Sequence, residues 1–121
     1  MDKIEYAATV IAAVHAQTIQ GKLPWRTNPG MVVAEPTSTI MVMIGFEDDG
    51  PDSAVWESVM IKHPVGKGIT ILGNLASSKS RLYEPITSAQ TLAQVNEVFR
   101  YVLLEPRKRE FEAAMKELGG K

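Results

Sequence analysis

Between Thr39 and Ala76 the chain carries strand-like runs whose alternate positions are apolar and whose intervening positions are largely apolar as well. A sheet with one solvated face should show a polar residue at every second place. These strands therefore read as covering two faces. In a chain of 121 residues with few helices to spare, the second face calls for a partner.

Composition narrows the classes. Hydrophobic residues make up 45% and charged residues 22%, which suits one α+β domain over residues 1–121 with its own core and no need of disulfides or a structural metal. The formal net charge of -1 provides no global field for DNA, RNA or an anionic membrane, so nucleic acid is disfavoured as a partner. The absence of cysteine excludes disulfide frameworks, thiolate zinc sites and cysteine nucleophiles. No apolar run approaches the roughly 18 residues of a membrane span. Asp2 and Glu5 stand where a signal peptide would be basic, and His15 and Gln17 interrupt the stretch that follows. A soluble, cytoplasmic protein is expected.

Asp2 followed by Glu5 opens a capping-box-like helix over residues 3–20, with apolar positions at Ile4, Ala7, Ala8, Ile11, Val14 and Ile19 and a stop at Gly21. The segment from Gly21 to Gly30, with Pro24 and Pro29, reads as irregular, and Trp25 within it should plug the gap between helix and sheet. Strands are expected over 31–35, 39–46, 53–62 and 69–76, with Pro36-Thr37-Ser38 as a hairpin turn. Around Pro85 at most a short edge segment fits. Thr87 with Gln90 caps a second helix that places Leu92, Val95, Phe99, Val102 and Leu103 along one stripe and stops before Pro106. Pro106 then opens a last helix. The expected architecture is a three- to four-stranded antiparallel meander with an N-terminal helix and two C-terminal helices packed on one face.

Pairing Lys62 with Ile69 across the turn at 63–68 sorts the strands into faces. Trp56 and Met60 then share one face with Ile69, Ile71, Gly73 and Leu75, read as core. Val55, Glu57, Val59 and Ile61 share the other with Thr70, Leu72 and Asn74, a mixed surface suited to pressing against another chain. Met41 and Met43 join this partner-facing set, because methionine suits adaptable apolar surfaces as well as cores.

Reaction machinery is lacking in the sequence. His63, Gly66, Lys67 and Gly68 match no phosphate-binding loop, since a strand follows where a helix should open. The acidic turn Glu47 to Asp52 lacks the alternating ligands of a calcium loop. His15 and His63 are far apart and read as boundary residues, and no Gly-x-Ser-x-Gly elbow occurs. Basic residues from Arg100 to Lys116 alternate with Glu105, Glu110 and Glu112, which makes a solvated helix face. No cofactor or metal is implied.

The reading is a non-catalytic interaction module that self-associates or binds another protein through a sheet face or edge, with Met41, Met43, Val55, Glu57, Val59 and Ile61 as partner-binding residues. Its alternative is a small-ligand protein or small enzyme for an anionic or phosphorylated metabolite. In that case Trp25, Arg26, Ser78, Lys79 and Arg81 would line a pocket between helices and sheet.

Overall fold

The computed structural model of the chain describes residues 2–48, 50, 53–63, 68–77 and 83–119. Helix α1 (Lys3–Ile19) begins where Asp2 Oδ1 accepts the Glu5 backbone N–H at 2.8 Å. It ends where Gly21 turns to φ +72 and the Lys22 N–H returns to the Gln17 carbonyl at 2.9 Å, a left-handed C-terminal cap for which glycine is suited. Ala7, Val10, Ile11, Val14 and Thr18 form its buried stripe.

Among the described residues six strands follow in one sheet with spatial order equal to chain order: β1 (Trp25–Asn28), β2 (Met31–Ala34), β3 (Met41–Glu47), β4 (Val55–Lys62), β5 (Ile69–Gly73) and β6 (Glu84–Pro85). Strands β1 to β5 form an antiparallel meander, and β6 pairs parallel to β5. The sheet is thus larger than the three or four antiparallel strands expected, and mixed. Strand β1 was hidden between Pro24 and Pro29, but four residues suffice at an edge, where a neighbouring proline removes no ladder bond. Pro36 lies in the β2–β3 hairpin connection, where Thr37 Oγ1 accepts the Ile40 N–H at 2.9 Å.

The register Lys62↔Ile69 is as the sequence predicts, yet the faces are inverted. Gly45 pairs with Ser58 and Phe46 with Trp56, so Glu57 is an extra residue on β4. Such a bulge reverses the alternation on one side of it. Trp56 therefore shares the helix-covered face with Val59 and Ile61, which are 1% and 0% exposed. Met60, Ile69 and Ile71 lie on the opposite face, and Leu75, beyond the end of β5, is 71% exposed. Asn74 fastens the bulge: its side-chain amide donates to the Trp56 carbonyl at 2.8 Å and its backbone N–H to the Glu57 carbonyl at 2.9 Å.

Helix α2 (Ala89–Phe99) is capped by Ser88, one residue past the expected cap, whose hydroxyl accepts the Thr91 N–H. The backbone does not stop before Pro106. It passes through a π-helical segment, Arg100–Leu104, into α3 (Glu105–Gly119), with the Glu105 N–H reaching back to the Arg100 carbonyl. The wider turn accommodates the proline ring that an α-turn would drive into the carbonyl four residues earlier. The two C-terminal helices expected are therefore one interrupted helical path. The core unites α1, α2 and Leu103 with Val32, Val42, Ile44, Phe46, Trp56, Val59, Ile61 and Leu72 from one sheet face.

Candidate functional site

The opposite sheet face is built by cross-strand rows. Val33, Met43, Met60 and Ile71 are consecutive partners across β2 to β5. Beside them Met31, Gly45, Ser58 and Gly73 form the next row, and on the other flank Met41, Lys62 and Ile69 form a third. None of the apolar members belongs to the helix-covered core or packs against it. Met31, Met41, Met43, Met60 and Ile71 are half-buried, Ile69 is 49% exposed, and Val33 is buried. The result is a contiguous apolar surface of the kind that marks interaction sites.

Its rim is polar. At the β1 edge Arg26 pairs with Glu35 at 3.2 Å. At the end toward the β3–β4 turn stand Glu47 and Val55, paired across the strands, with Val55 41% exposed.

Of the residues singled out in the sequence, Met41, Met43 and Val55 stand on this open face. Glu57 is the bulged residue, half-buried. Val59 and Ile61 are core residues under the helices, so the partner-facing role assigned to them does not fit where they lie. Met31, Met60, Ile69 and Ile71 take their place, while Val33 on the same side is buried. Gly45, an isolated glycine inside β3, stands beside the register shift and hints at irregular pairing there without saying which residue of β4 is the extra one.

The residues of the alternative pocket do not converge. Trp25 turns toward the core, its indole N–H donating to Thr18 Oγ1 of α1 at 3.0 Å. Arg26, its neighbour along the strand, leaves β1 on the other side and lines a shallow hollow of about 250 Å³ with Pro24, Val33 and Glu35. Ser78, Lys79 and Arg81 lie outside the described residues.

Both histidines are engaged. His15 Nε2 meets Glu97 Oε1 at 3.1 Å, bridging α1 and α2. His63 stacks on Tyr6 with ring centres 4.9 Å apart and shares a 2.6 Å hydrogen bond with Thr70 Oγ1. Among the described residues no group of three or more histidine or acidic side chains could hold a metal ion, and no helix is long and apolar enough to cross a membrane. A cleft of about 310 Å³ lies beside the π-helical segment, where Asn96 Oδ1 accepts the Trp56 indole N–H at 2.7 Å over a largely apolar wall.

The Asp2 carboxyl is held below its ordinary value by the Glu5 backbone N–H, and that of Asp48 by its hydrogen bonds from Arg107. Neither lies on the open face. No family model, curated protein or solved structure matches the chain.

Proposed function

We propose that this chain is a non-catalytic protein-association module whose binding surface is the open face of its sheet. The observation that carries this reading is the row Met43, Met60 and Ile71, an apolar band across three strands that no helix of the core covers, continued on β2 by Val33, which is itself buried. Methionine fits the role because its unbranched, polarisable side chain adapts to a partner's shape. The histidines and the two tryptophan indoles are used in joining helix to helix, helices to sheet and strands to one another, which favours association over catalysis.

The test is Met43→Glu, which places a charge in the middle of the face and away from the core. Association, read as concentration-dependent sedimentation or as capture of a partner by the immobilised chain, is expected to disappear while the far-ultraviolet circular dichroism is retained. Association that survives Met43→Glu and Met60→Lys alike would refute the assignment of the face.

A further inference from the structure

We infer that the occupant of the open face is the same face of a second copy, seated in one register. The inference rests on the reading of that face as an association surface and specifies its partner.

The shape of the face is self-complementary. Met43 and Met60 stand side by side as the middle of a raised row. Two residues along each strand, Gly45 and Ser58 form a low one, and where Gly45 lacks a side chain the nearest atom to its would-be Cβ is Ser58 Oγ, at 3.1 Å. Ridge and trough are separated by about 7 Å, two residues of strand rise. A two-fold axis lying in the interface, running across the strands midway between the rows, carries each ridge over the other copy's trough. Met43 and Met60 then descend on Gly45 and Ser58 of the second copy. This is the self-matching that a closed, isologous dimer requires.

Charge follows the same operation. Lys62 lies two residues beyond the ridge on β4, and the Glu47↔Val55 pair lies two residues beyond Gly45 on β3. The axis brings Lys62 beside Glu47 of the second copy, and the reciprocal pair forms at the opposite rim. Opposite charges so placed fix register and disfavour other partners.

Area sets the strength of the contact. Four strands at about 4.8 Å and at most about seven residues at about 3.3 Å give a footprint of roughly 19 Å by 23 Å, so two faces bury about 900 Å² in total, in the range of weak, transient association. Aligned sheets about 10 Å apart leave room for the methionines to interdigitate. A contact of this size suits a reversible dimer that forms at high chain concentration.

Sedimentation velocity with light scattering on the full chain, up to about 200 µM, is expected to show a species of twice the 13.3 kDa chain mass. Ser58→Trp, which fills the trough, and Lys62→Glu are each expected to weaken the dimer about tenfold or more. Combining Lys62→Glu with Glu47→Lys is expected to restore it. A dimer indifferent to Ser58→Trp and not rescued by the charge exchange overturns the register, though it leaves the face as the association surface if Met43→Glu abolishes it. A strict monomer that binds a different protein through a Met43-dependent surface overturns the second-copy occupant alone. Should Ser58→Trp fail to fold, hydrogen exchange of the wild-type chain at low and high concentration decides the matter. Added protection along β3 and β4 at high concentration supports the dimer, and identical exchange overturns it.

Discussion

Arg107 donates from both terminal nitrogens to the two carboxylate oxygens of Asp48, at 2.9 Å each. Its guanidinium also lies 5.4 Å from the centre of the Phe46 ring. The paired geometry matters because no residue of α3 is buried. The ion pair and the cation–π contact tie that helix to the turn end of β3. Arg107→Ala is expected to accelerate amide exchange throughout α3 while leaving α1, α2 and the strands protected. Unchanged protection in α3 would show that the helix is held by something else.

The same pair sets a pH dependence. Hydrogen bonds from Arg107 lower the Asp48 carboxyl below its ordinary value of 3.8 in the folded chain. A folded value below the unfolded one means that the stabilisation is fully present above the unfolded value and is lost as pH falls through the folded one. Attachment of α3 should therefore be constant across neutral pH and fail only in acid below 3.8. Amide exchange of α3 followed against pH, after correction for intrinsic rates, checks this, and Asp48→Asn should abolish the acid step.

Adjacent residues on β4 test the two faces. Ile61 is 0% exposed beneath the helices, whereas Met60 faces the other way and is only half-buried. Ile61→Ala is expected to cost about 2–5 kcal/mol of folding stability, as deletion of a fully packed aliphatic side chain does. Met60→Ala should cost the isolated chain about 1 kcal/mol or less. Urea unfolding at a concentration low enough to exclude association reads both values, and equal losses would contradict the face assignment.

Much of this arrangement was legible in the chain. Asp2 and Gly21 mark the ends of α1 because each supplies a specific local partner or dihedral angle. Lys62 opposite Ile69 followed from where the turn had to lie. The inversion of the faces was not legible in the same way. A pattern apolar at both odd and even positions gives little indication of where one inserted residue resets the alternation. Glu57 as the bulge is fixed by Asn74 from beyond the next strand, a contact between sequence-distant residues. Hence Val59 and Ile61 were placed on the partner side while the register itself was right. The short β1 and the parallel β6 depend likewise on neighbouring strands, since four residues and two residues show no period of their own.

Asn74 is accordingly a position where a small change should have a large effect. It is 7% exposed, donates its amide to the Trp56 carbonyl and accepts the Ala76 N–H at 3.0 Å. Asn74→Ala removes both bonds and leaves the Trp56 carbonyl without this donor. A loss of about 1–3 kcal/mol is expected, the cost of stranding a buried polar group. The Trp56 indole, bonded to Asn96 at 2.7 Å, should report loosening of the bulge as a change in fluorescence relative to the wild-type chain. Stability within error of wild type would mean that the bulge persists without its clamp.

Pro106 explains why the C-terminal helix widens where it does. Proline has no N–H to give, and its ring would clash with a carbonyl held at α-helical distance, so the turn before it opens to the Glu105 to Arg100 bond. Alanine removes both constraints. It favours an ordinary helix by up to about 3 kcal/mol, offset by about 0.4–1 kcal/mol because the unfolded chain regains freedom. Closing the π-turn completely would rotate α3 by about 100°, one residue of helical twist, and would pull Arg107 off Asp48. That partly exposed pair contributes little net stability, too little to hold the turn open against this preference. Pro106→Ala is therefore expected to close the turn into a continuous α-helical ladder, release Arg107 from Asp48 and gain about 1–2 kcal/mol net, with a newly protected amide at position 106. Carbonyl chemical shifts of residues 100–104 read the closure, and a variant that keeps the wide turn would show that the contacts of α3, not the proline, hold it open.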